Sequence, residues 1–109
     1  MSKTNYILEG YGKDQKIIVS TTELWNSTTK TFDKTRISSY TVIDETNKDQ
    51  YSVWKGALGV ALLGGFGAVV GIGGKKKKEY LIAIEWKGGE KSLICLDDEA
   101  YKTFVKNMF

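Results

Sequence analysis

Few residues in this 109-residue chain are equipped to do chemistry, and their spacing argues against most of it. There is no histidine, so the commonest general base and metal ligand is missing. The single cysteine, Cys95, stands between Ile94 and Leu96 with no candidate base to hold it as a thiolate, and it reads as a core residue. Asp97-Asp98-Glu99 has the oxygen ligands of a hard-cation site. The same residues also make a complete helix start, with Asp97 as N-cap and two acids in the first turn, where the helix dipole favours negative charge. Glu9, Glu23, Asp33, Asp44 and Glu45 are scattered and form no paired-carboxylate signature. The expectation is a protein that is not an enzyme and holds neither metal nor cofactor.

A second group is basic. Gly71-Ile72-Gly73-Gly74 followed by Lys75 has the outline of a phosphate loop, but it lacks the Gly-Lys-Ser/Thr ending and leads into a strand where such a loop leads into a helix. What survives is weaker: backbone N–H groups beside Lys75, Lys76, Lys77 and Lys78 suit an anion, whether a lipid headgroup, a nucleotide or RNA. A solvated basic tip that keeps an apolar segment soluble explains the lysines equally. Nucleic-acid binding needs basic residues interleaved with exposed aromatics. Trp25, Trp54 and Trp86 fall at strand positions that also suit a core, and the lysine run stands apart from them, which argues against nucleic acid.

The lysines close the stretch around which the chain is organised. From Gly56 to Gly74 there are nineteen residues without a charge or a hydroxyl, and eight of the twelve glycines lie there. As one helix it would run roughly 28 Å, about the hydrocarbon thickness of a bilayer, between Trp54 as an aromatic anchor and a basic flank. In helical register Ala57, Ala61, Gly64, Ala68 and Gly71 make a continuous face of small residues that permits close helix–helix approach. Leu58, Leu62, Phe66 and Val69 form a bulky face beside it. A single span would place residues 1–53 and 79–109 on opposite sides of a membrane, and the second piece is too short to bury a core by itself. A helical hairpin breaking at Gly64-Gly65 returns both ends to one side, with arms of roughly 14 Å that can embed in a bilayer surface but hardly cross it. Such a hairpin can equally bury itself against copies of itself. The third reading is a glycine-rich loop packed over the domain's own core.

Length and composition set the frame. The chain is one domain with one modest core. Sixteen basic against thirteen acidic residues leave a net charge of +3, and four of those bases are the lysine run. The polar Met1-Ser2-Lys3-Thr4-Asn5 start is followed by no apolar region of a signal peptide, and one cysteine cannot form an internal disulfide, so a cytoplasmic location is expected, with peripheral contact at the inner membrane face as an option. With no proline anywhere, turns rely on Gly, Asn and Asp.

The elements that would position these residues are mostly strands. Tyr6-Ile7-Leu8, closed by Gly10-Tyr11-Gly12, reads as a first strand or strand-like arm, and Lys16–Ser20 with Ile17, Ile18 and Val19 as a β-branched core strand. Glu23-Leu24-Trp25 is expected to be a strand, Phe32 stands alone among polar residues, and Arg36–Asp44 is again strand. Tyr51–Trp54 is read as the start of a strand leading into the insert. Tyr80, Ile82, Ile84 and Trp86 alternate with Leu81, Ala83 and Glu85. Gly88-Gly89 is a two-residue hairpin signal, and Lys91–Leu96 returns with Leu93 and Cys95 on one face and Ile94 and Leu96 on the other. From Asp97 the spacing of Tyr101, Phe104, Val105 and Met108 predicts an amphipathic helix.

This order of several antiparallel strands, an apolar insert, two more strands and a closing helix resembles that of the bacterial pleckstrin-homology-like domains. The residues carrying the resemblance are Lys16–Val19, Ile37–Ile43, the hairpin at Gly88-Gly89 and the helix from Asp97. The insert ending in lysines looks like one found in small Gram-positive and phage proteins with such a domain. The resemblance implies an α+β fold: one domain over residues 1–109, a small antiparallel β-barrel or sandwich with a C-terminal helix and residues 55–78 as a glycine-rich, helical hairpin insert. It also implies a scaffold for ligand, lipid or protein binding and no catalysis. Two functions are then expected. The first is an assembly or docking module, a homo-oligomer or a partner of membrane or protein. Its contact face is Ala57, Ala61, Gly64, Ala68 and Gly71 with Leu58, Leu62 and Phe66, and Lys75–Lys78 meet anionic groups. The second is a binder of a small anionic ligand, such as a phosphorylated metabolite or nucleotide.

Overall fold

Two strands with apolar residues on both faces have to lie inside a sheet and be covered twice, and that is where β6 (Glu79–Trp86) and β7 (Lys91–Asp97) are found. The computed structural model describes residues 4–43, 47–54 and 79–109. Within them a four-stranded antiparallel sheet runs in the order β1-β7-β6-β5, where β1 is Tyr6–Gly10 and β5 is Ile37–Ile43. A three-stranded sheet is formed by β2 (Ile18–Val19), β3 (Leu24–Asn26) and β4 (Lys30–Thr31) in sequence order. The C-terminal helix α1 spans Asp98–Met108. The fold is therefore α+β, two antiparallel sheets and one closing helix.

The two sheets meet at β1. The Ile7 amide donates to the Gln15 carbonyl at 2.9 Å and the Ile17 amide to the Asn5 carbonyl at 2.8 Å, so residues 15–17 line β1 and the chain passes straight on into β2. Gly10 ends β1 in the left-handed region (φ 85°), and a Cβ there would lie 2.1 Å from the Lys91 carbonyl oxygen. The neighbouring Tyr11 amide donates to that same oxygen at 2.9 Å.

The inner faces and the helix share one core: Ile7, Ile17, Leu24, Phe32, Ile37, Ile82, Ile84, Trp86, Ile94 and Leu96, closed by Ala100 and Phe104 of α1. Edge-on ring contacts lock it at both ends, Phe32 on Trp86 at 5.2 Å and Tyr40 on Phe104 at 4.9 Å. Its buried polar groups are paired. Trp86 Nε1 donates to Ser92 Oγ at 2.8 Å, and that hydroxyl donates on to the Tyr11 carbonyl at 2.7 Å. Asn26 bonds the Lys16 carbonyl and receives the amides of Thr28 and Thr29. The N-cap is formed as expected, with the Ala100 amide donating to Asp97 Oδ1 at 2.8 Å.

The structure corrects three expectations about these elements and assigns one residue that the sequence left unplaced. Lys16–Ser20 is not a core strand: only Ile17 of its three β-branched residues is buried, while Ile18 and Val19, on the edge strand β2, are 53% and 38% exposed. Phe32, isolated in sequence, is fully buried. Tyr51–Trp54 belongs to a 3-10 segment, Lys48–Trp54, kinked at Tyr51, and not to a strand. At three residues per turn, Tyr51 and Trp54 eclipse one another and lay both rings against the same sheet face. Between the hydrogen-bonded Trp86 and Glu90 the β6–β7 turn holds three residues, Lys87, Gly88 and Gly89: Gly89 donates to the Trp86 carbonyl, Trp86 to that of Glu90, and Gly89 takes the left-handed conformation (φ 96°) of a bulged hairpin.

Candidate functional site

Ala57, Leu58, Ala61, Leu62, Gly64, Phe66, Ala68, Gly71 and Lys75–Lys78, the contact face and basic run expected from the sequence, lie outside the described residues. Their flanks are described. β5 before the stretch and β6 after it are adjacent strands paired from Ile37 with Trp86 to Ile43 with Leu81. Trp54, just before the stretch, packs on the same sheet. A single span with the two halves of the protein on opposite sides of a membrane is incompatible with that ladder. Among the described residues no helix is long and apolar enough to cross a membrane.

The outer face of the four-stranded sheet changes character along its strands. Ile43, Leu81, Ala83, Leu93 and Cys95 are buried there, with Leu8, Tyr51, Trp54 and Tyr80 packed around them. Toward the β6–β7 hairpin the outward positions become Ser39, Glu85 and Lys91, which are neighbours across three strands because Ser39 pairs with Glu85 and Glu85 with Lys91. The next row is Thr41, Ala83 and Leu93. Where the two rows meet the 3-10 segment there is a groove of about 330 Å³, lined by Ser39, Thr41, Gln50, Tyr51, Trp54, Ala83, Glu85 and Lys91, with Ile84 contributing from β6. The Tyr51 and Trp54 rings are parallel to within 2°, with centroids 6.2 Å apart, and form its wall. A second groove, of about 290 Å³, lies at the hairpin end between Tyr11, Thr29, Thr35, Arg36, Trp86, Lys87, Gly88 and Glu90.

The other sequence candidates have structural partners. Burial, followed by the charges of Glu79 and Asp97, pushes the Cys95 thiol up to about 12, so it stays neutral and unreactive at physiological pH. Asp97 caps α1 and accepts from Asn5 Nδ2 at 3.2 Å. Asp98 accepts from the Tyr80 hydroxyl at 3.1 Å and pairs with Lys102 at 3.2 Å. Burial first, and then that bond and charge, hold the Tyr80 phenol above its ordinary range. Among the described residues no three acidic, cysteine or histidine side chains are grouped to hold a metal ion.

The outer groove escaped the sequence reading. Alternation along β5 and β6 does place Ser39, Thr41, Ala83 and Glu85 on one side, but only the cross-strand register brings Lys91 beside them, and only the 3-10 turn brings the rings. Comparison with family models, with curated proteins and with solved structures gave no match.

Proposed function

We propose that this protein is a non-enzymatic binding and assembly module: a domain of the pleckstrin-homology-like kind that presents its apolar, glycine-rich segment to copies of itself, a protein partner or the inner surface of a membrane. The observation that carries the reading is the pairing of Ile43 with Leu81. The 3-10 segment before residue 55 and β6 after residue 78 belong to one sheet's packing, so the uncharged run Gly56–Gly74 is flanked on both sides by a single folded platform. A helical hairpin satisfies that constraint and gives the small residues Ala57, Ala61, Gly64, Ala68 and Gly71 a common face for close packing. Leu58, Leu62 and Phe66 would supply apolar area beside it, and Lys75–Lys78 would meet anionic headgroups or an acidic partner surface. The reading places the protein in the cytoplasm or at the inner membrane face.

Light scattering during gel filtration without detergent tests it. The expected result is a discrete oligomer, or a species that becomes monodisperse only with lipid or detergent. Ala61→Leu and Gly64→Leu are expected to dissociate it while the β-sheet circular dichroism is kept. A clean monomer that also leaves vesicles of anionic lipid unbound would overturn the proposal.

A further inference from the structure

From the outer groove beside the 3-10 segment we infer a binding site for a neutral, hydroxylated ring, that is, a mono- or disaccharide unit; it does not depend on the assembly reading. Three features converge there. The first is shape. Ala83 is the small residue of its row, and its methyl floor leaves about 330 Å³ between the aromatic wall and the Glu85–Lys91 rim, the lower end of the range for small-molecule sites.

The second is hydrogen-bonding capacity that faces solvent and that a ligand can take over from water. Five polar side chains, Ser39, Thr41, Gln50, Glu85 and Lys91, surround the floor from β5, β6, β7 and the 3-10 segment. Among the described residues the one hydrogen bond between them is a long one, Ser39 Oγ to Glu85 at 3.5 Å. Glu85 and Lys91 are directly paired across the ladder without forming an ion pair, although Lys102 and Asp98 on α1 do form one. One carboxylate and one ammonium side by side on the rim make a site with no net charge, which disfavours an anion. Hydroxyl and amide groups that both donate and accept match the rim of a polyol, where every hydroxyl does the same.

The third is the wall. The stacked, half-buried rings of Tyr51 and Trp54 bring apolar aromatic area to the edge of the groove, against which the C–H face of a sugar ring can pack. A ring seated on Ala83 would touch that wall with its apolar face and the five polar groups with its rim.

The test is saturation-transfer NMR on the full chain with maltose, cellobiose, N,N′-diacetylchitobiose and adenosine, followed by amide-shift mapping. The expected result is saturation of at least one disaccharide, with shifts centred on Thr41, Tyr51, Trp54, Ala83 and Glu85. Trp54→Ala and Ala83→Leu, the second filling the floor, are each expected to weaken it by about tenfold or more. The isosteric surface variant Glu85→Gln, which spares the core, is expected to weaken it about threefold to tenfold. No signal from any saccharide, a signal unchanged in Glu85→Gln and Ala83→Leu, or binding of adenosine alone would overturn the assignment.

Discussion

The two faces of β6 and β7 start from similar residues and end in different states. On the inner face Ile82, Ile84, Ile94 and Leu96 continue to the hairpin end, where Trp86 and Ser92 close the core with a hydrogen bond. On the outer face Leu81, Leu93 and Cys95 are just as buried, but past Ala83 the row turns into Glu85 and Lys91 and the face opens into a groove. One set of strands thus supplies stability on one side and, on the other, a boundary between dry and wet surface. Binding sites collect at such boundaries, because apolar area and free polar groups lie within reach of one ligand.

Substitutions on the two faces test this contrast. Phe104→Ala, which removes the helix's main contribution to the inner core, should lower unfolding free energy by about 3–5 kcal/mol in urea denaturation. Ser92→Ala strands the Trp86 indole N–H and removes the donor to the Tyr11 carbonyl. A loss of about 1–3 kcal/mol is expected, together with a change in near-ultraviolet tryptophan signal. Cys95 probes how dry the outer face is. Its thiol is raised from 9.0 to about 12 in the folded protein, so its contribution is complete below pH 9 and disappears as pH rises toward 12. Stability should therefore fall by about 1 kcal/mol between pH 9 and pH 10, a fall that Cys95→Ala should largely abolish, and the native thiol should resist disulfide-exchange reagents at pH 8. Smallest of all, Glu85→Gln and Lys91→Gln at the groove rim should each change stability by less than about 0.5 kcal/mol. A larger loss would mean that the rim is structural.

Strong periodicity made part of the fold legible. The two faces of β6 and β7, the Asp97 cap and the stripe of Tyr101, Phe104 and Val105 all follow from spacing, because each is a local pattern several residues long. Ile17, Ile18 and Val19 look alike in sequence, and the hydrogen bonds of residues 15–17 to β1 decide which one enters the core. Phe32 has no apolar neighbour to mark it, since its partner is Trp86. Tyr51–Trp54 misled because aromatic and β-branched residues favour strands until a three-residue turn aligns two rings. The groove is a product of register across β5, β6 and β7, information that no stretch of the chain carries by itself.

Because Ile43 and Leu81 are partners in one ladder and the 3-10 segment packs on the same sheet, residues 55–78 join two points fixed on one folded surface, and the entropy of joining such points grows only with the logarithm of the connection's length. Doubling a flexible loop at that point would cost about 0.6 kcal/mol, against total stabilities of about 5–15 kcal/mol for small domains. A single residue inserted within β6 would instead turn Ile82 and Ile84 out of the core and point Leu81's neighbours at the wrong layer. Insertions between residues 55 and 78 should thus cost the fold little, whereas a deletion reaching the 3-10 segment would take Tyr51 and Trp54 off the outer face of the sheet.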